Sequence, residues 1–226
     1  MQLFLSGGGS SADSAELDKK FIASVAAGKP VLYIPIAINT EKYPYSGCLA
    51  WIQKNFRHLG FDNFVMWIEE DLKGKREEDF KQFGGVYIGG GNTFKLLKEL
   101  KEFGTAEILK HLAARGIPIY GGSAGAIILT RSIIPALSAD ENLVGLTDFS
   151  ALSLLRGFDI WCHYAEGMED EIRACMRTNR IEKIIAIPES AGLYVTDGGI
   201  EAVGPSDVTV FAKDSKGFVK SGEMVG

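Results

Sequence analysis

The chain has 226 residues, of which 46% are hydrophobic and 23% charged, with a formal net charge of −5. This is the profile of a soluble globular protein with enough residues for a substantial core, in one large domain or two small ones. It excludes a duplex-binding surface, which needs clustered Lys and Arg, and no apolar run approaches the roughly 18 residues that span a bilayer.

The opening MQLFLSGGGSS lacks the basic start and long apolar stretch of a signal peptide, so a cytoplasmic location is expected. QLFLSG (2–7) reads as a buried strand, and SADSAELDKKFIASVAAG (11–28) as a helix ended by Gly28. PVLYIPIA (30–37) is a second strand, followed by a loop at 43–47 and a helix over 47–59 that stops at Gly60. NFVMWI (63–68) is a third strand, and the charged DLKGKREEDFKQF (71–83) lies on the surface. GGVYIG (84–89) is a fourth strand turning through GGN into a helix, and a further helix over 105–115 leads through Gly116 into IPIYGGSAGAIIL (117–129). Strands alternating with helices at this spacing predict a mainly parallel sheet covered on both faces. After residue 180, KIIAIPE, GLYVTDGGIEAVG and DVTVFAKDSKGFVKSG read as short strands with hairpin turns at Asp197-Gly198-Gly199 and Ser215-Lys216-Gly217. They are expected to extend the main sheet as an antiparallel edge. No linker, low-complexity segment or repeat interrupts the chain, so residues 1–226 are read as one domain.

The run 117–129 is a buried strand passing through a sharp turn into a helix, with Ser123 at the bend. G-x-S-x-G at such a turn lifts a hydroxyl to the sheet edge, beside backbone N–H groups that can face an oxyanion. Gly121, Gly122 and Gly125 suit a turn too tight for a Cβ. A serine hydroxyl needs a base, itself held by a third group. His58 and His111 sit on helices as ordinary surface or packing residues, whereas His163 ends the extended run GFDIWCHY at an expected strand edge. For the carboxylate, Glu189 ends the apolar run IAIPE, and Asp140 and Glu141 in the loop after the serine compete with it. The GGGN turn at 89–92 can also present N–H groups to an anion. SGGGSS at 6–11 reads as a plain tight turn. Cys48, Cys162 and Cys175 are widely spaced with no C-x-x-C, and with three histidines they give a metal site little to work with, so reduced thiols and no metal are expected.

Four features occur in order: VYIGGGNTFKLLKEL (86–100), IPIYGGSAGA (117–126), the histidine at 163 and IPES-x-GLYV (187–195). Together they resemble the peptidase E family of serine peptidases, which includes aspartyl dipeptidases and, more distantly, cyanophycinases. The resemblance covers most of the chain. It implies an α/β sandwich of helices around a mainly parallel sheet, related to class I glutamine amidotransferases, and hydrolysis of dipeptides or short peptides without a cofactor. Ser123 would be the nucleophile, His163 the base, Glu189 the orienting acid, and the N–H groups of Gly91 and Ala124 the oxyanion hole. Asn92 and Arg173 would contact substrate.

The chain departs from the aspartyl dipeptidases in two places. PALSADEN (135–142) replaces their Asn-Asp pair, and the loop carrying Arg173 is crowded with Glu166, Glu169, Asp170 and Glu171. Those carboxylates would repel an acidic side chain and favour an amine or a basic substrate. Two rival readings are a non-hydrolytic amidotransferase-like binding domain and a cyanophycinase-like isopeptidase. The C-terminal strands also offer an edge that could pair across a homodimer.

Overall fold

The computed structural model describes all residues, Met1–Gly226. In chain order it contains β1 (Gln2–Ser6), α1 (Ala15–Ser24), β2 (Val31–Ile34), α2 (Tyr45–Phe56), β3 (Phe64–Met66), α3 (Glu69–Leu72), α4 (Glu77–Phe80) and β4 (Gly85–Ile88). There follow α5 (Thr93–Glu102), α6 (Thr105–Ala114), β5 (Ile119–Gly122), α7 (Ala124–Ile127), β6 (Asp159–Trp161), α8 (Glu169–Asn179), β7 (Lys183–Ala186), β8 (Gly192–Thr196), β9 (Gly199–Val203), β10 (Val208–Ala212) and β11 (Ser215–Val219). No helix is long and apolar enough to cross a membrane.

The central sheet has seven strands in the order β3-β2-β4-β5-β1-β8-β9, the first five parallel, with β8 antiparallel to β1 and β9 antiparallel to β8. The parallel strands at its centre are near-continuous apolar runs because both faces are covered. Leu3, Leu5, Leu32, Ile34, Val86, Ile88 and Ile119 point into one core with Phe94 and Leu97 of α5. The alternate residues Phe4, Tyr33, Tyr87 and Tyr120 point the other way, onto Leu17 and Phe21 of α1 and Ile52 and Phe56 of α2. This second face is aromatic: the Tyr87 and Tyr120 rings stack at 4.5 Å, and Phe21 meets Tyr120 edge-on at 5.3 Å.

The charged stretch 71–83 holds the short helix α4, and Leu72 and Phe80 bury their side chains there. α8 is an element that the strand-and-helix reading had not assigned. Its Ile172 and Met176, one turn apart, pack on Trp161, Ile184 and Phe211.

The expected antiparallel edge forms only in part. β8 and β9 do extend the main sheet, with β8 along β1 from Gln2↔Thr196 to Ser6↔Gly192. β7, β10 and β11 instead join β6 in a separate four-stranded sheet, ordered β11-β10-β7-β6. A period-2 pattern says that a face is buried but not against which sheet. The chain changes sheets between Ile187 and Ala191. The first hairpin turn lies at Asp197-Gly198 as expected, with Thr196 opposite Gly199. The second lies at Lys213-Asp214, two residues earlier than the sequence suggests, with Ala212 opposite Ser215.

Candidate active site

Neighbouring parallel strands end together, and this brings the glycine-rich turns to one place. Ser6 at the end of β1 is level with Gly122, and Ile88 at the end of β4 is level with Gly121. The loops after β1, β4 and β5 therefore lie side by side at the carboxyl edge, where open α/β sheets gather their ligands.

Ser123 sits between β5 and α7 with φ 49° and ψ −109°, a conformation rare for a residue with a side chain. Holding it there costs about 1–3 kcal/mol. Neighbouring glycines make it affordable: a Cβ on Gly121 would lie 2.4 Å from the Gly125 carbonyl oxygen, and one on Gly125 would lie 2.3 Å from that of Ile88. Gly122 differs from the expectation. A Cβ there would meet nothing nearer than the Tyr87 hydroxyl at 3.5 Å, so the turn needs glycine at 121 and 125 but not at 122.

Ser123 Oγ lies 2.8 Å from His163 Nε2, and His163 Nδ1 lies 2.9 Å from Glu189 Oε1. His163 and Glu189 follow β6 and β7, the parallel pair of the second sheet. That sheet docks on the loop after β1: the His163 N–H donates to the Gly7 carbonyl at 3.0 Å, and the Gly7 N–H to that of Ala191 at 3.0 Å. His163, like Ser123, has a positive φ, 54°.

The loop read as a plain turn proves essential to this geometry. A Cβ on Gly7 would lie 2.0 Å from the Pro188 carbonyl oxygen, one on Gly8 2.3 Å from His163 Cε1, and one on Gly9 2.6 Å from the Glu189 carbonyl oxygen. Gly8 also has φ +106°. Three consecutive glycines after a first buried strand were the available signal. Gly8→Ala is expected to push the imidazole off Ser123 and lower kcat/KM by about 100-fold, since an ångström of misplacement costs about that much. Steady-state kinetics beside a melting curve check this. A variant with full activity would mean that His163 tolerates displacement.

The two candidate carboxylates have different partners. Asp140 Oδ2 accepts the Thr93 N–H at 2.8 Å, capping α5 from outside, whereas the carboxylate within hydrogen-bond distance of His163 Nδ1 is Glu189. Gly91, at φ +138°, lines a cavity together with Ser123, and a Cβ on it would lie 2.1 Å from the Ala37 carbonyl oxygen. Ala124 opens α7, where the first N–H groups of a helix have no intrahelical acceptor.

The two residues expected to contact substrate both make contacts within the fold. Asn92 uses both ends of its amide structurally: Oδ1 caps α5 by accepting the Lys95 N–H at 2.9 Å, and Nδ2 donates to the Glu141 carbonyl at 2.8 Å. Arg173 donates to Glu169 at 2.8 Å and lies over the Phe211 ring at 5.5 Å. It lines a cavity with Arg177 and Arg180 that does not include Ser123.

Cys162 lies under the site, its thiol 3.8 Å from the carbonyl oxygens of Ser6 and Ser123. Burial raises this thiol to about 12, so it stays protonated and is no rival nucleophile. Cys48 is buried as well and Cys175 half-buried, and all three are free thiols.

Two cavities, of about 520 and 480 Å³, each include Ser123 in their walls. The first opens toward α1, α2 and the aromatic face of the sheet. The second lies between Gly91, Asp140 and His163.

The model of peptidase family S51 matches residues 3–203. The chain belongs to this family. It is therefore a serine-type peptidase, a hydrolase. Among its S51 relatives, peptidase E of Nostoc sp. is 25% identical over 202 residues, covering 85% of this chain and 79% of that protein. Peptidase E of Shewanella denitrificans is 28% identical over 196 residues, covering 78% and 80%. A Drosophila melanogaster protein named "Probable alpha-aspartyl dipeptidase" is 27% identical over 198 residues, covering 86% and 78%. Two crystal structures share the fold. A peptidase from an acI-B1 Actinobacterium has a TM-score of 0.73 at 18% identity, covering 99% of this chain and 96% of that one. A Listeria monocytogenes EGD-e protein assigned to peptidase E has a TM-score of 0.68 at 23% identity, covering 91% and 98%.

Proposed function

We propose that this S51 peptidase is an exopeptidase for dipeptides or short peptides that works through Ser123, His163 and Glu189. The observation that supports it most is the unbroken line from Ser123 Oγ to His163 Nε2 at 2.8 Å and from His163 Nδ1 to Glu189 Oε1 at 2.9 Å. His163 Nε2 takes the serine proton as Oγ attacks the scissile carbonyl, and Glu189 accepts the Nδ1–H and balances the imidazolium. The tetrahedral oxyanion points to the N–H groups of Gly91 and Ala124. His163 then protonates the leaving amine, and water activated by the same imidazole hydrolyses the acyl-enzyme. Cavities of about 520 and 480 Å³ beside the nucleophile suit a few residues rather than a long chain.

A fluorophosphonate probe followed by peptide mass mapping tests this reading. Labelling is expected at Ser123 alone among the serines and is expected to vanish in His163→Ala. Labelling elsewhere, or none, would remove Ser123 from the role.

A further inference from the structure

The cavity that leads from Ser123 to the aromatic face of the sheet holds a carboxylate that the proposed mechanism does not use. Asp18, on the first turn of α1, is only 3% exposed and forms part of the cavity wall. Its Oδ2 accepts the Ser14 hydroxyl at 3.0 Å and the Tyr120 hydroxyl lies beside the carboxyl, while Oδ1 makes no hydrogen bond of good geometry. No Lys or Arg forms an ion pair with it. A buried carboxylate oxygen left unpaired is costly, and groups of this kind concentrate where a ligand completes them.

We propose that this cavity binds a basic side chain, lysine or arginine, of the peptide, with Asp18 receiving its positive charge. The inference rests on the reading of Ser123 as nucleophile and adds the substrate class. The walls suit such a group: Tyr33, Tyr87, Tyr120 and Trp51 give an aromatic sleeve for an aliphatic stem and ring faces for a cation. Neither cavity at Ser123 is lined by an arginine, so an aspartyl side chain would meet no guanidinium there and would face the unpaired Asp18. Lys42, the one ammonium group in the wall, belongs to the exposed loop before α2 and lies over the Tyr43 ring at 5.2 Å.

Protonation follows the same logic. Burial, the largest influence, raises the Asp18 carboxyl to about 6, against smaller opposing effects of Tyr120, Ser14 and His58. The hydroxyls of Tyr33, Tyr87 and Tyr120 and the Cys48 thiol, which line the same cavity, are raised by burial and stay neutral. The folded state thus holds a proton that an unfolded aspartate releases near about 4. The ionised carboxylate therefore lowers stability progressively from about pH 4 to 6, and fully above that. Asp18→Asn is expected to raise Tm at pH 8 while harming recognition, whereas a merely structural Asp18 would lower Tm when replaced.

The test compares dipeptides carrying Lys, Arg, norleucine or Asp on either side of the scissile bond, with free and acetylated amino ends, at pH 8 and pH 5. Wild type is expected to prefer Lys and Arg over norleucine in kcat/KM by roughly 10–150-fold, the range of one charged hydrogen bond. That ratio should shrink at pH 5 and approach one in Asp18→Asn; any pH effect common to all the peptides affects numerator and denominator alike and cancels. Equal turnover of Lys and norleucine peptides by wild type would overturn the proposal while Ser123→Ala still abolished activity, leaving the peptidase reading intact. Equal turnover combined with an Asp18→Asn defect confined to free amino ends would assign the cavity to the N-terminal ammonium and also overturn it. Should Asp18→Asn not fold, the wild-type ratio and its pH dependence decide. Should wild type cleave no peptide, the proposed function fails, and the cavity is read by thermal shift. Lysinamide should then raise wild-type Tm more than norleucinamide, and equal shifts would overturn the proposal.

Discussion

Ser123→Ala is expected to lower kcat on dipeptides by about 10³–10⁶-fold with little change in KM, because members of such a unit fail together once one is lost. The side-chain contact of Ser123 Oγ is with His163 Nε2, so removing it breaks no structural bond. The positive φ is already supported by Gly121 and Gly125, whose Cβ atoms would clash across the turn, and alanine meets the same backbone demands as serine. Melting behaviour should therefore change little, separating lost chemistry from lost fold. Full turnover by the variant would show that another group attacks the peptide.

Glu189→Gln is expected to lower kcat by about 10³–10⁴-fold, while Asp140→Asn stays within a few fold of wild type. The glutamine keeps the volume but cannot balance the imidazolium, and its amide N–H can turn toward Nδ1 and favour the wrong tautomer. Asp140 is a cap: its Oδ2 accepts the Thr93 N–H at the start of α5, 2.8 Å away. Asparagine can keep that bond, so the change should appear as a stability loss of about 0.3–1 kcal/mol from the weaker helix-end charge. Parallel kinetics and melting on the two variants check the contrast. Reversal of the order would exchange the roles of the two acids.

Much of the architecture was legible in the residues because the signals are local. Alternating strands and helices gave the parallel sheet, and Gly28, Gly60 and Gly116 each mark a turn with positive φ. G-x-S-x-G gave the sharp bend, since Gly121 and Gly125 are required by atoms four residues away or on the adjacent strand. The order of GGGN, GGSAGA, His163 and Glu189 pointed to the residues that the fold then brings within 2.8 and 2.9 Å of one another.

Other features depended on packing partners distant in sequence. The β7, β10 and β11 strands read as edge strands, yet they join β6 in a second sheet, where Ile184 and Phe211 pack with α8. The placement of Arg173 over Phe211 depends on how α8 packs against β10. The Gly7-Gly8-Gly9 turn acquires its meaning only when the second sheet presses His163, Pro188 and Glu189 against it. Asp18 had left a faint trace, a carboxylate three residues before Phe21 on the apolar stripe of a helix. Whether such a group is solvated, paired or left open to a cavity depends on β2, β4 and β5, whose tyrosines surround it. Local sterics and periodicity act over a few residues and can be read in order, whereas burial and charge environment exist only once distant segments have met.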